Sequence, residues 1–186
     1  MHAELSKLVT LPSLRWTACL TWAATLVIAL AAHRAAPGSD PIRMALPWTQ
    51  AGFLVFGVLA ATQEYEPGGQ VRATLLAVPR RLHLAAAKSA ALLLVALALA
   101  APARSPYLAS VALVGAAWGC LLRSPVAGVA SALTMYLVVC PVLRARFPDS
   151  SAWLPDAGLL DPSVGDLAWP VGAALLAAFV FRRRNA

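Results

Sequence analysis

Residues 84–101 read LAAAKSAALLLVALALAA, eighteen positions whose only polar side chains are Lys88 and Ser89. A helix of this composition is apolar on every face, which a water-soluble surface helix is not. At 1.5 Å per residue it reaches most of the way across a hydrocarbon core of about 30 Å. Working outward, five further runs have the same character: 16–32 (WTACLTWAATLVIALAA), 46–62 (LPWTQAGFLVFGVLAAT), 107–122 (YLASVALVGAAWGCLL), 126–142 (VAGVASALTMYLVVCPV) and 167–181 (LAWPVGAALLAAFVF). The composition agrees, with 60% hydrophobic and 12% charged residues and a mean hydropathy of +0.72. Soluble domains carry about twice that share of charge.

The expected fold is therefore all-α: a polytopic integral membrane protein with about six transmembrane helices, forming one domain over residues 1–186. The spans are placed at about 14–34, 46–64, 80–103, 106–123, 125–142 and 165–182. Residues 1–13 form an interfacial N-terminal segment, set off by Pro12, and residues 143–166 form a long external loop. That loop carries Pro148, Pro155, Pro162 and the acids Asp149, Asp156, Asp161 and Asp166. The first run also has features of a cleaved signal peptide: a basic start, an apolar stretch and ALAA. Its length and the five runs after it favour a retained span.

Orientation follows from the basic residues. With the N-terminus inside, cytoplasmic segments hold Lys7, Arg15, Arg72, Arg80, Arg81, Lys88, Arg123, Arg182, Arg183 and Arg184, and outer segments hold Arg34, Arg43, Arg104, Arg144 and Arg146. The excess places both termini in the cytoplasm. Trp16 and Trp118 then fall near the inner interface, Trp48, Trp153 and Trp169 near the outer one, and Trp22 deeper. The net charge of +7 is explained the same way, since no stretch interleaves basic and stacking aromatic residues as a nucleic-acid groove does.

Several chemistries are excluded. The chain has no GxxxxGK[ST] loop to cradle ATP phosphates, and no HExxH, CxxC or GxSxG. His2, His33 and His83 are far apart, and Cys19, Cys120 and Cys140 each sit inside an apolar run without metal spacing. The spans are almost without acids and bases, which disfavours a proton- or ion-coupled carrier. Polar candidates for lining a path are Thr17, Thr21 and Thr25 on one face of span one, Thr49 and Gln50 on span two, and Ser131 and Thr134 on span five. Each hydroxyl could equally bond its own helix backbone. Gly115 and Gly119 form a GxxxG on span four, read as helix packing.

Between spans two and three runs GVLAATQEYEPGGQVRATLLAVPRRLHLAAAK, residues 57–88. Val71, Leu75, Val78 and Leu82 recur at helical spacing with Arg72 and Arg81 off that face, and Pro79 ends or bends the helix. An interfacial amphipathic helix at about 69–78 is one reading of that pattern. The stretch also resembles the equivalent region of ATP-binding-cassette (ABC) permeases of the type-2 exporter family, in its short actinobacterial form. The matching features are Glu64-Tyr65 at the end of span two, Gly68 or Gly69, Arg72 with small apolar residues after it, Pro79-Arg80-Arg81, and Lys88.

The resemblance implies a cytoplasmic coupling helix at about 67–79, docked on a separate ATPase subunit, with Glu64 at the junction and Arg72, Arg80 and Arg81 toward acidic surface on that subunit. It implies a permease with no catalytic residue, no metal and no cofactor of its own, ATP and Mg belonging to the ATPase. The partners would be that ATPase, a second permease protomer (identical or a sister subunit) and the lipid of a bacterial cytoplasmic membrane. Two features depart from the family pattern: the chain is short, and Glu66-Pro67 precede the glycines. The alternative from another class is a non-transporting membrane protein such as an immunity, anchoring or assembly factor.

Overall fold

The computed structural model describes residues 10–38, 40–63, 81–156 and 168–177. Among them there is no strand; nearly all lie in helices. Helix α1 spans Pro12–Ala35, with Pro12 at its first position and His33 and Arg34 in its last turn, where cations meet the negative end of the helix dipole. Gly38 turns the chain at φ 105°, a conformation that glycine adopts without a steric penalty.

Helix α2 covers Pro41–Thr62. The Asp40 carboxylate accepts from the amides of Ile42 and Arg43 at 3.0 and 3.3 Å, a side-chain cap followed by Pro at the first helical position. The helix thus begins five residues before residue 46, from which span two was placed. The cap is the stronger start signal, and Pro47 is carried inside the helix.

Helix α3, Arg81–Ala100, tightens into a 3-10 turn at Ala101–Ala103, and Arg104 closes it with φ 52°. Helix α4 is Tyr107–Leu122, closed by Arg123 at φ 53°, whose amide donates to Gly119 O. Helix α5 runs over Pro125–Arg146, capped by the Ser124 hydroxyl. Its middle is a π-helical turn at Met135–Val139, with the Cys140 amide reaching back to Met135 O. The turn lies just before Pro141, whose ring lacks an N–H and crowds the carbonyl four residues back; the wider turn absorbs that conflict without breaking the helix. The helix continues through Arg144 to Arg146, past residue 143 from which the external loop was placed, and a 3-10 segment, Pro148–Trp153, follows. Helix α6 is Ala168–Ala177.

Among the described residues four helices are long and apolar enough to cross a membrane: α1, α2, α5 and, over Ala86–Ala103, α3 with its 3-10 turn. The other two, α4 and α6, are apolar but shorter. At 16 residues α4 is about 24 Å long.

Helix α2 is the centre of the bundle, with half of its most apolar stretch buried inside the protein against 11% for α1. It lies antiparallel to α1, since Thr25 meets Thr49 and Ser13 meets Gln63. It lies parallel to α4, since Gln50 meets Tyr107, Gly57 meets Ala112 and Gly119 meets Val58. On the other side Leu14, Phe56 and Leu92 pack together and draw α3 against α1 and α2.

The α2–α4 crossing is close because of glycine. A Cβ on Gly57 would fall 1.9 Å from Ala112 O, and one on Gly115 would fall 2.3 Å from Leu54 O. Small residues let backbones approach in this way where lipid supplies no hydrophobic drive between helices. Outward, Trp16, Leu20, Val27 and Leu30 of α1 and Val126, Val138 and Val142 of α5 are exposed, the side-chain distribution of helices solvated by lipid.

Candidate functional site

Among the described residues, the buried polar side chains Thr25, Thr49, Gln50 and Asp156 gather in one region, and Thr62 lies apart at the far end of α2. The Thr25 and Thr49 hydroxyls lie 2.8 Å apart across α1 and α2, and next to Thr49 on α2 is Gln50, 3% exposed. The Tyr107 hydroxyl, at the start of α4, lies 3.0 Å from Gln50 Oε1 and 3.0 Å from the Pro155 carbonyl, two acceptors between which its single proton is shared. Asp156 follows at once, 3% exposed, with Oδ2 2.7 Å from Nη2 of Arg144 on α5. The Cys140 thiol, one turn earlier on α5 and fully buried, faces the same carboxyl. One chain of contacts therefore joins α1, α2, α4, α5 and the segment after α5.

Burial moves the Asp156 carboxyl above its ordinary value, while the Arg144 guanidinium and the hydrogen bonds to it pull the other way. Arg144 keeps a third of its side chain exposed, so its own charge remains hydrated. The arrangement binds charge across a junction, with the Cys140 thiol and the Arg144 guanidinium both against the Asp156 carboxyl. Among the described residues no group of three or more His, Cys, Asp or Glu could hold a metal ion.

The residues proposed to line a path fall in two places. Thr25, Thr49 and Gln50 meet in the buried cluster, with Thr17 and Thr21 further along α1. Ser131 and Thr134 lie on the exposed face of α5, so this chain does not join all seven into one lining. Thr17, Thr21, Thr25, Thr49, Ser131 and Thr134 each bond a carbonyl one turn back on their own helix, at 2.7 to 3.1 Å. The hollow between α1, α2 and α3, bounded by Ala18, Trp22, Phe53 and Leu99, has a volume of about 10 Å3, roughly one water and no substrate chamber.

Of the coupling residues, Glu64, Tyr65, Gly68, Gly69, Arg72, Pro79 and Arg80 lie outside the described residues, as does the side chain of Arg81. Lys88 lies on α3, partly buried. Sequence reasoning missed the roles of Tyr107, Arg144, Cys140 and Asp156. Asp156 is one of four acids in its loop, and no spacing rule pairs it with Arg144. No family model, curated protein or solved structure matches this chain.

Proposed function

We propose that the chain is the membrane-spanning subunit of an ATP-driven ABC exporter in a bacterial cytoplasmic membrane. In this reading it crosses six times with both termini cytoplasmic, pairs with a second permease protomer and couples to a separate ATPase that holds ATP and Mg. It is not itself an enzyme. The observation that carries the proposal is the order of residues after α2: Glu64-Tyr65, Gly68-Gly69, Arg72, Pro79-Arg80-Arg81 and Lys88.

Three further observations support it. Helix α2 ends beside the start of α1, where Gln63 Nε2 donates to the Ser13 hydroxyl. The turn from α4 to α5 reaches the same end, since Gly119 and Gly128 both pack against Val58. A segment leaving α2 there starts where three helix ends converge, so a push on it acts on several helices together. Finally, α1, α2, α4 and α5 are almost without charge between their ends, which suits energy delivered mechanically rather than by ion translocation.

The test is co-purification of the full chain with a lone nucleotide-binding subunit. Replacing Glu64, Arg72, Arg80 and Arg81 together should abolish the complex while the permease remains folded in detergent. A complex that survives the fourfold replacement refutes the coupling role. A native chain that binds no ATPase favours the non-transporting alternative.

A further inference from the structure

We infer that residues 153–156 form a latch across one end of the bundle, and that Arg144 holds the latch shut by pairing with the buried carboxylate of Asp156. The inference needs only a folded bundle in lipid and stands whether or not an ATPase partner exists.

The segment is tied at three successive points to three different helices. The Trp153 carbonyl accepts from Trp169 Nε1 of α6 at 2.7 Å. The Pro155 carbonyl accepts from Tyr107 of α4 at 3.0 Å. The Asp156 carboxylate meets Arg144 of α5 at 2.7 Å. Apolar burial beneath the strap is confined to two residues, Leu154 and Pro155, while Trp153 is 63% exposed. A strap held by polar contacts has two discrete arrangements, seated and lifted, rather than a continuum. Seated, it covers Tyr107, Gln50 and Cys140, all at most 7% exposed; lifted, it opens that end of the bundle.

The two partners of the ion pair are not equivalent. Arg144 is one-third exposed and stays hydrated if Asp156 loses its charge. Asp156 has only 4% of its side chain exposed, its Oδ1 makes no regular hydrogen bond, and the other group facing it, the Cys140 thiol, is a weak donor. Removing Arg144 leaves a buried, unpaired carboxylate, which is the costly way to break such a pair; neutralising both members is not. A latch must therefore open on loss of Arg144 and close again when Asp156 is neutralised as well. A contact that merely decorates the surface shows neither effect.

Cys140 beneath the strap is a native reporter. The full chain in lipid nanodiscs, open to water on both faces, is treated with a water-soluble maleimide, and the labelled cysteine is located by mass spectrometry. In the native chain Cys140 should label slowly. Arg144→Gln should accelerate its labelling at least about tenfold, Asp156→Asn should leave it near the native rate, and the Arg144→Gln, Asp156→Asn double variant should return to within about threefold of native. Equal rates for the native chain and Arg144→Gln overturn the latch, as does a double variant that labels as fast as Arg144→Gln. Labelling of Cys120, near the opposite end, should not change; a matching rise there means the whole bundle has loosened and also refutes the inference.

Discussion

Placing a methyl group on Gly57 perturbs the tightest point of the molecule. The new Cβ would sit 1.9 Å from the Ala112 carbonyl oxygen, where ordinary contact starts near 3.4 Å, so α2 and α4 must separate locally by about 1.5 Å, enough to forfeit half or more of the dispersion energy of the atoms facing each other there. Neither obstacle is a flexible side chain, because Gly57 meets Ala112 backbone and Gly115 meets Leu54 backbone. Overpacking of this kind costs about 1–3 kcal/mol, set against about 1 kcal/mol gained in helix propensity on replacing glycine by alanine. Gly57→Ala, the tightest, should thus lose up to about 2 kcal/mol, Gly115→Ala (2.3 Å from Leu54 O) somewhat less, and Gly119→Ala (2.8 Å from Val58 O) least. Gly172→Ala on α6, with nothing within 4 Å, should be neutral or stabilising. One separation relieves both close contacts, so the Gly57, Gly115 double variant should cost less than the two single losses combined. Reversible unfolding in mixed detergent micelles, followed by helical circular dichroism, measures each difference. Gly57→Ala as stable as Gly172→Ala would refute the parallel α2–α4 crossing.

Two further expectations rest on the polar cluster. A double-mutant cycle with Thr25→Val and Thr49→Val should give a coupling of about 0.6 kcal/mol, typical of hydrogen bonds between helices in lipid. In the same unfolding assay, a coupling of zero would mean that the hydroxyls, 2.8 Å apart, only bond their own backbones. The raised Asp156 carboxyl sets the sign of a pH effect. Burying the carboxylate costs more than the Arg144 pair returns, so a seated strap binds the proton more readily than a lifted one: seating strengthens as pH falls through that raised value, and above it the strap depends on Arg144 to stay closed. Hydrogen exchange at the Leu154 and Asp156 amides, corrected for intrinsic rates, should show more protection at acid pH. Protection that rises with pH instead contradicts the assignment, and Asp156→Asn should flatten the profile.

The helical class and most helix bodies were legible in the sequence, because lipid leaves the backbone no partner but itself. An unbroken apolar run long enough to cross must therefore close its hydrogen bonds within a helix. Residues 84–101, 107–122 and 126–142 each lie in a helix for that reason. So were the local end signals, Pro12 and the turn at Arg123-Ser124-Pro125, which act over three or four residues. Asp40 and the Met135–Val139 turn were missed: the apolar runs outweighed a single polar cap, and nothing local says whether Pro141 ends a helix or widens it. The GxxxG at Gly115 and Gly119 indicated close packing, but not that α2 would be the helix packed against it.

The candidate site divides along the same line. The order of residues 64–88 can be read without any fold, because the segment proposed to dock is contiguous in the chain. The polar junction cannot, because Gln50, Tyr107, Arg144 and Asp156 come from four separate parts of the chain. Which of four loop acids is buried, and against which arginine, depends on how α2, α4 and α5 pack. Periodicity reports which side of a helix is apolar; it carries no information about what faces that side across a distance of a hundred residues. That pairing is a property of the tertiary structure alone.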